Sequence, residues 1–432
     1  MTSKKQRSKV RAAAVADDDV VLSVLNELAG DKAAGQQREP AWPHPFPARL
    51  PISVAKHLVR GLTGAQSLIL DPMMGSGTTL IAAKECGRPC IGFDRDLLAQ
   101  RIARSATASY TSKELEELGE NILDRADEIH ASKRSMEYLR EGLLDEDIAF
   151  LKFWFSTKAQ KELFAFRQAI QEIDNDRLQN FAWVVFSSLI IAKSAGASFA
   201  LDISRSRPHK VQDKPIAYPF EMWSRRFNAA VKRTPFVDAT AKAKLTLGGG
   251  DAREVNLKDS SVDFILTSPP YRNAVDYLRS HKFSLVWMGT SIPEVRDLRG
   301  TMIGSERGLF SLDGIPDALE DRLARIVSPR REQAMTRRYL SDLRKAVGEM
   351  KRVLRPGGLA VMVVGPTMIN AKKTDAADVL SQIAEHAGLR TVGSSVRVIN
   401  PERRSLPAPS RVGATNFLAA RMRREVIVAF RK

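Results

Sequence analysis

The chain has 432 residues, of which 44% are hydrophobic and 27% charged, so it can bury one large core with insertions or two cores. Its 67 Lys and Arg against 50 Asp and Glu give a formal net charge of +17, which favours a polyanionic partner, nucleic acid first, over a merely solubilising surface. Only two cysteines, Cys86 and Cys90, are present, which excludes a disulfide framework and indicates a reducing, cytoplasmic setting.

Membrane and metal proteins are also disfavoured. The longest apolar stretch, residues 181–192, contains two serines and is shorter than the roughly 20 residues that cross a bilayer, so it predicts a buried helix. The six histidines are scattered, without the close spacing of a metal pair, and no metal site is expected.

The first part of the chain predicts a basic arm followed by the start of a sheet. Residues 1–39 form a basic N-terminal arm with a short helical pattern at 20–28, and residues 40–51 are proline-rich and lead into a helix ending near 62. Residues 67–71 and 90–94 are short apolar runs that end in an acid, and each precedes a helical pattern. Two successive strand and helix units predict a parallel sheet.

Two insertions interrupt the later part of the chain. Residues 111–242 are almost entirely helical in pattern and predict an inserted helical domain, and an Arg-rich insertion covers about 272–330. Strands are predicted at 245–247, 262–267, 359–364, 391–398 and 425–430. The fold class is therefore α/β, a doubly wound, mostly parallel sheet of seven strands built from residues 40–110 and 243–432.

The first motif is the segment D-P-M-M-G-S-G-T-T, Asp71 to Thr79, between the first strand and a helix. Glycines there allow close backbone approach to a ligand, and the helix N-terminus favours an anionic group. A P-loop would need Lys after Gly77, where Thr78 stands, and a dinucleotide fingerprint would need a small residue at Leu80. An adenosyl cofactor fits better than either ligand or a plain packing turn, because Asp94 can accept both ribose hydroxyl hydrogens.

The second motif, Thr267-Ser268-Pro269-Pro270-Tyr271, directly follows the fourth strand. The two prolines have no N–H donors, so their carbonyls can only accept hydrogen bonds. The Ser268 oxygen and the Pro269 carbonyl are candidates to orient an amino group, and Tyr271 can stack on a base rotated out of a duplex. A proline-rich turn with no catalytic role is the competing interpretation.

Together the motifs resemble the amino-methyltransferase family of DNA methylases, which act on cytosine N4 or adenine N6. The resemblance implies the fold of adenosylmethionine-dependent methyltransferases and S-adenosyl-L-methionine as cofactor. Its cofactor-binding positions correspond to His44, Asp71, Pro72, Gly75, Ser76, Gly77, Thr78, Thr79, Asp94 and Asp251. Its catalytic positions correspond to Ser268, Pro269, Pro270 and Tyr271. The segments 44–49, 250–252 and 355–358 carry weaker similarity.

The acceptor base remains open between two chemistries. Ser before Pro-Pro is similar to the cytosine-N4 group, whereas Asp or Asn is common for adenine N6. However, the cofactor loop precedes the catalytic motif here, and many cytosine-N4 enzymes have the reverse order. Cytosine-C5 chemistry is rejected, because the one Pro-Cys pair, Pro89-Cys90, begins the second strand. An RNA or tRNA amino-methyltransferase and a non-catalytic nucleic-acid-binding protein also compete with the DNA methylase interpretation.

The expected partner is double-stranded DNA with the target base flipped, and a cognate restriction endonuclease is a further candidate. The helical region 111–242 is the candidate DNA-recognition domain. The candidate DNA contacts are Arg205, Arg207, Lys210, Arg225, Arg226, Arg403 and Arg404.

Overall fold

The computed structural model describes residues 15–29, 44, 46, 49–132, 134–190, 196–201, 208–236, 238–239, 243–270, 277–305, 315–324, 330–365, 375–399 and 424–432. Most of the predicted basic arm lies outside these residues. Five predicted site residues also lie outside them: Tyr271, Arg205, Arg207, Arg403 and Arg404.

Seven strands form one twisted sheet at the centre of the fold. They are β1 (Ile69–Asp71), β2 (Cys90–Asp94), β3 (Leu245–Gly249), β4 (Val262–Thr267), β5 (Leu354–Val364), β6 (Arg390–Val398) and β7 (Arg424–Arg431). Their order across the sheet is β3-β2-β1-β4-β5-β7-β6. The strands from β3 to β5 pair in parallel, and β7 is antiparallel to both of its neighbours. The predicted doubly wound, mostly parallel fold is confirmed.

The helices are α1 (Asp18–Glu27), α2 (Ile52–Leu62), α3 (Thr78–Glu85), α4 (Leu97–Thr107), α5 (Ser112–Ala131), α6 (Met136–Leu139), α7 (Asp145–Trp154), α8 (Thr157–Gln171), α9 (Asp176–Ile190), α10 (Pro219–Val231), α11 (Tyr277–Trp287), α12 (Ile292–Thr301), α13 (Asp317–Ala324), α14 (Arg330–Val353) and α15 (Ala376–His386). None of the described helices is both long and apolar enough to span a bilayer.

Most residues of the central strands β4 and β5 are apolar. This pattern arises because helices cover both faces of the sheet. All six residues of β4 are buried, including Phe264 and Ile265, which pair with Ile69 and Leu70 of β1. The chain leaves β1 for β2 on one side and reaches β4 on the other. The carboxyl ends of β1 and β4 therefore form the topological switch point, where ligands bind in open α/β sheets.

The helical region between β2 and β3 shares its core with the segment that follows the catalytic motif. Phe155 and Phe164 of this region pack edge-on against Trp287 of α11, at ring-centroid distances of 5.4 and 4.9 Å. Buried residues of α4, such as Ile102, belong to the same apolar cluster. The predicted unit 111–242 therefore does not have an apolar core of its own among the described residues.

Helix α1 packs against the far edge of the sheet. Its Val21 and Leu25 are buried. The Asp18 carboxylate accepts hydrogen bonds from Arg431 of β7, at 2.8 Å, and from Arg390 of β6, at 2.5 Å. The short helix that the sequence grouped with the basic arm is thus part of the sheet domain.

Candidate active site

A cleft opens at the carboxyl ends of β1, β2 and β4. It brings together most of the predicted cofactor and catalytic residues, although the two motifs lie far apart in the chain. The predicted residues that line it are Asp71, Pro72, Gly75, Ser76, Thr78, Thr79, Asp94, Asp251, Ser268, Pro269 and Pro270. The cofactor loop and the Pro-Pro segment therefore share one pocket.

The cofactor loop is held by its backbone. Gly75 and Gly77 have φ values of +50° and +85°, which side chains other than glycine rarely adopt. A Cβ at Gly77 would also lie 2.9 Å from Cβ of Ala103 on α4, so this glycine permits close packing of the loop although it does not itself line the cleft. The Met74 N–H donates to the Phe93 carbonyl at 2.9 Å, which ties the loop to β2.

The Asp94 carboxylate ends β2 at the floor of the cleft. Its Oδ2 accepts from the Gly75 N–H at 2.8 Å, and its Oδ1 accepts from the Asp96 N–H at 2.9 Å. Burial and the neighbouring Asp96 carboxylate raise the pKa of Asp94 to about 7. Each carboxylate oxygen has a second lone pair, so Asp94 can still accept from a pair of hydroxyl groups.

The buried acid Asp71 joins the two motifs directly. Thr267, the residue before Ser268, donates its hydroxyl hydrogen to Asp71 Oδ1 at 2.7 Å, and the Met73 N–H reaches the same oxygen at 3.2 Å. Burial raises the pKa of Asp71 to about 6, although the hydroxyls of Thr79 and Thr267 act against that rise. The start of the cofactor loop thereby fixes the start of the catalytic segment.

Ser268 is oriented by the neighbouring strand. Its hydroxyl donates to the Val363 carbonyl of β5 at 2.9 Å. Because the one hydroxyl hydrogen is used in this bond, the Ser268 oxygen offers only lone pairs to the cleft. Pro269 beside it is buried and has no N–H. This corner of the cleft is therefore an acceptor environment.

Asp251 lies at the cleft edge between two arginines. Its Oδ2 is 2.6 Å from Arg95 Nη1 and 2.7 Å from Arg253 Nη2. Burial alone would raise the pKa of Asp251, but the hydrogen bonds and positive charges of Arg253 and Arg95 leave it below its usual value. Asp251 is therefore a fixed anion, held by an ion-pair network that no motif in the chain indicates.

The structure places His44 outside the cleft, unlike the sequence prediction of a cofactor contact. His44 is fully buried, and its Nε2 lies 2.9 Å from the Ser187 hydroxyl of α9. Ser187 in turn donates to the Ser284 hydroxyl of α11 at 2.8 Å. His44 thus anchors its segment to two helices, while Phe46, two residues later, reaches the cleft.

Sequence reasoning missed an aromatic and acidic group that lines the same cleft. The Phe46 ring stacks on Tyr277 of α11 with centroids 4.9 Å apart, close to Gly75. His281, one turn further along α11, has its Nδ1 2.5 Å from Asp96 Oδ2, and both side chains are buried. Phe46 follows His44 in the segment already noted, whereas no spacing in the sequence links His281 to Asp96.

The described candidates for DNA contact lie in the helical region. Lys210 belongs to a two-residue antiparallel pair, Ala200–Leu201 with His209–Lys210, and its ammonium group lies over the rings of Phe153 and Phe199. Arg225 is exposed on α10, and Arg226 beside it is half-buried. Neither arginine lines the cleft.

Comparison with known proteins shows what this chain is similar to. Residues 2–105 match the family model described as DNA methylase. The Type II methyltransferase M.MvaI of Kocuria varians is 21% identical over 402 residues, covering 86% of each chain. M.MjaII of Methanocaldococcus jannaschii is 20% identical over 56% of this chain and 61% of its own. These matches support the DNA amino-methylase family that the two motifs resemble.

Among solved structures, a TehB-like SAM-dependent methyltransferase of Corynebacterium glutamicum aligns with 88% of this methylase and 86% of its own chain, at 10% identity and a TM-score of 0.29. DNA is the substrate of the methylase and S-adenosylmethionine is its methyl donor. The cleft fits that donor. Asp94 has acceptors for the two hydroxyl groups of a ribose, and Gly75 has no side chain between the loop backbone and the Phe46 ring.

Proposed function

We propose that the methylase transfers a methyl group to the exocyclic amino group of a base in DNA, and that cytosine N4 is favoured over adenine N6. The observation that carries this proposal is the Ser268 hydroxyl, whose hydrogen is donated to the Val363 carbonyl at 2.9 Å. With its hydrogen engaged, the oxygen beside Pro-Pro can act only as an acceptor.

An exocyclic amino group is a poor nucleophile because its lone pair is delocalised into the ring. Acceptors for both amino hydrogens hold the nitrogen in an orientation that frees the lone pair for attack. The Ser268 oxygen and the Pro269 carbonyl serve as these two acceptors, and Thr267 fixes the segment through its bond to Asp71. The catalytic contribution of these residues is orientation.

The proposed cofactor contacts come from three strand ends. Asp94 accepts from the ribose hydroxyls, Asp251 lies on the adenine side, and the loop from Asp71 to Thr79 borders the methionine portion. When bound, S-adenosylmethionine supplies an activated methyl group on a sulfonium centre. The Phe46 and Tyr277 rings cover the loop and exclude water from it.

A base inside a duplex cannot reach a cleft at the end of a sheet, so the target base is rotated out of the stack. Tyr271, which follows Pro270 in the sequence, is proposed to stack on the extruded ring. Serine rather than a carboxylate or an amide before Pro-Pro supports cytosine as that base. Since the two relatives named above are Type II methyltransferases, a cognate endonuclease is a reasonable partner to test.

Nucleoside mass spectrometry tests the proposal. The purified chain is incubated with labelled S-adenosylmethionine and, separately, with genomic DNA and total RNA, and the nucleosides are then analysed. We expect label in N4-methylcytosine from DNA. Label in N6-methyladenine would overturn the cytosine assignment, and label found only in RNA would overturn the DNA assignment. A Ser268→Ala control must lose the product to link it to this site.

A further inference from the structure

Basic and aromatic side chains alternate across the surface where α7, α11 and the two-residue strand pair meet. Phe150 and Phe153 lie on one face of α7, because residues three apart are neighbours on a helix. Lys282 of α11 has its Nζ 5.6 Å from the Phe150 ring centroid, and Lys210 has its Nζ 4.7 Å from that of Phe153. Phe199 lies beside Lys210 at 5.2 Å, and we call these five residues the α7 row.

Core packing explains Phe150, whose ring contacts Trp154 and Phe283, but it does not explain Phe153 at the outer part of the α7 row. The Phe153 side chain is 50% exposed, which is unusual for a large aromatic residue among basic side chains. Within the described part of the chain, Lys210 and the exposed Lys152, which precedes Phe153, have no carboxylate partner. Cations that alternate with accessible rings form the pattern by which proteins hold a nucleic-acid strand, through phosphates and base faces respectively.

The α7 row also begins close to the candidate active site. Helix α11 starts at Tyr277, which lines the cleft, and Lys282 follows five residues later. At 1.5 Å per residue, Lys282 is about 8 Å along the helix axis from Tyr277. One end of the α7 row therefore lies on the same helix as a residue that lines the cleft.

We propose that the α7 row binds the DNA that flanks the target base. Lys282 and Lys210 contact successive phosphates, and Phe153 stacks on a base that has lost its pairing partner or its neighbour. The inference rests on the proposed function in taking an extruded base as the reacting species. The inference goes beyond that function because it places a DNA-binding surface outside the cleft. The DNA strand bound there would have bases that are no longer stacked.

Salt dependence of DNA binding tests the lysines. Affinity for a mixed-sequence duplex is measured without cofactor between about 50 and 200 mM salt for Lys210→Ala, Lys282→Ala and the double variant. Each single variant should lower the slope of log K against log salt by about 0.9, equivalent to about a 3- to 4-fold change across that range. Lys210→Arg should retain the slope.

Lys113→Ala is the matched control, because it removes the same charge from an exposed position on α5, where Lys113 pairs with Glu117. If the α7 row variants show the same slope as Lys113→Ala, the lysines do not contact phosphates and the proposal is overturned. The proposal is also overturned if the α7 row variants lose affinity only for an RNA hairpin, because the surface would then bind RNA and not DNA.

Phe153→Ala tests the stacking contact with two duplexes, one fully paired and one with a single unpaired base. We expect roughly a tenfold loss of affinity for the second duplex and little change for the first. Equal effects on both duplexes would overturn the stacking assignment. These binding measurements involve no methyl transfer, so a negative result would overturn the DNA-binding role of the α7 row without affecting the proposed function. Conversely, absence of methylated bases in the mass-spectrometry experiment would overturn the proposed function without changing the salt slopes.

Discussion

The two loops that meet in the cleft are held in different ways. The cofactor loop is held through its own N–H groups: that of Met74 donates to the Phe93 carbonyl, and that of Gly75 donates to the Asp94 carboxylate. The Pro-Pro segment has no N–H at Pro269 or Pro270, so its position depends on the side-chain hydroxyls of the residues before it. Loss of a hydroxyl group should therefore disturb the catalytic loop more than the cofactor loop.

The largest effect should come from Ser268→Ala, which removes one acceptor for the amino group and the bond to Val363. We expect kcat to fall by about 10²- to 10³-fold, by analogy with loss of one oriented hydrogen-bonding group in other active sites. Cofactor affinity, measured by isothermal titration calorimetry, should stay within about twofold of the wild type. Ser76→Ala, in the cofactor loop, serves as the control, and a similar loss of kcat there would remove the distinction between the loops.

His281→Leu sharpens the comparison, because His281 connects the helix after the catalytic loop to Asp96 beside the cofactor loop. A buried carboxylate that loses its partner is costly, so urea denaturation should show a loss of about 3 kcal/mol in the free energy of unfolding. His281→Asn keeps a donor at a similar position and should recover most of that loss. No recovery would indicate that the ring fills space and that the Asp96 bond adds little.

The pH dependence of cofactor binding tests Asp94, which holds the cofactor loop. The pKa of Asp94 is raised to about 7, so the carboxyl takes up a proton as the pH falls through neutrality and loses an acceptor site. The dissociation constant for S-adenosylmethionine should therefore rise about tenfold between pH 8 and pH 6. Asp94→Asn should bind weakly at every pH, and a dependence that persists in this variant would exclude Asp94 as its source.

The smallest effect should come from Thr267→Val, which keeps the shape of the side chain but removes the bond between Asp71 and the catalytic segment. One buried hydrogen-bond partner is lost, so thermal denaturation should show a destabilisation of about 1 to 2 kcal/mol, with a modest fall in kcat. An unchanged Tm together with unchanged kcat would show that the loops are positioned without this bond.

Most of the fold was predictable because strand periodicity is local. All seven predicted strands are present, and the region that follows β2 is helical as predicted. The common location of Asp71, Asp94 and Ser268 could be predicted because each ends or follows a strand, and parallel strands place such residues at one edge. Their exact partners could not be predicted from this rule.

What the sequence did not reveal depends on contacts between distant segments. His44 was assigned to the cofactor from its similarity to a known segment, but its side chain packs between α9 and α11. The pairing of Asp96 with His281 joins residues 185 positions apart, and no local pattern signals it. The same holds for the two arginines around Asp251.

The neighbouring positions of β1 and β4 have a consequence for how such enzymes diversify. Two adjacent parallel strands bring their following loops together whichever strand is synthesised first. A circular permutation that opened the chain in a surface connection and joined its original ends would preserve the pocket while reversing the order of the motifs. The same pocket is therefore compatible with either order of the two motifs.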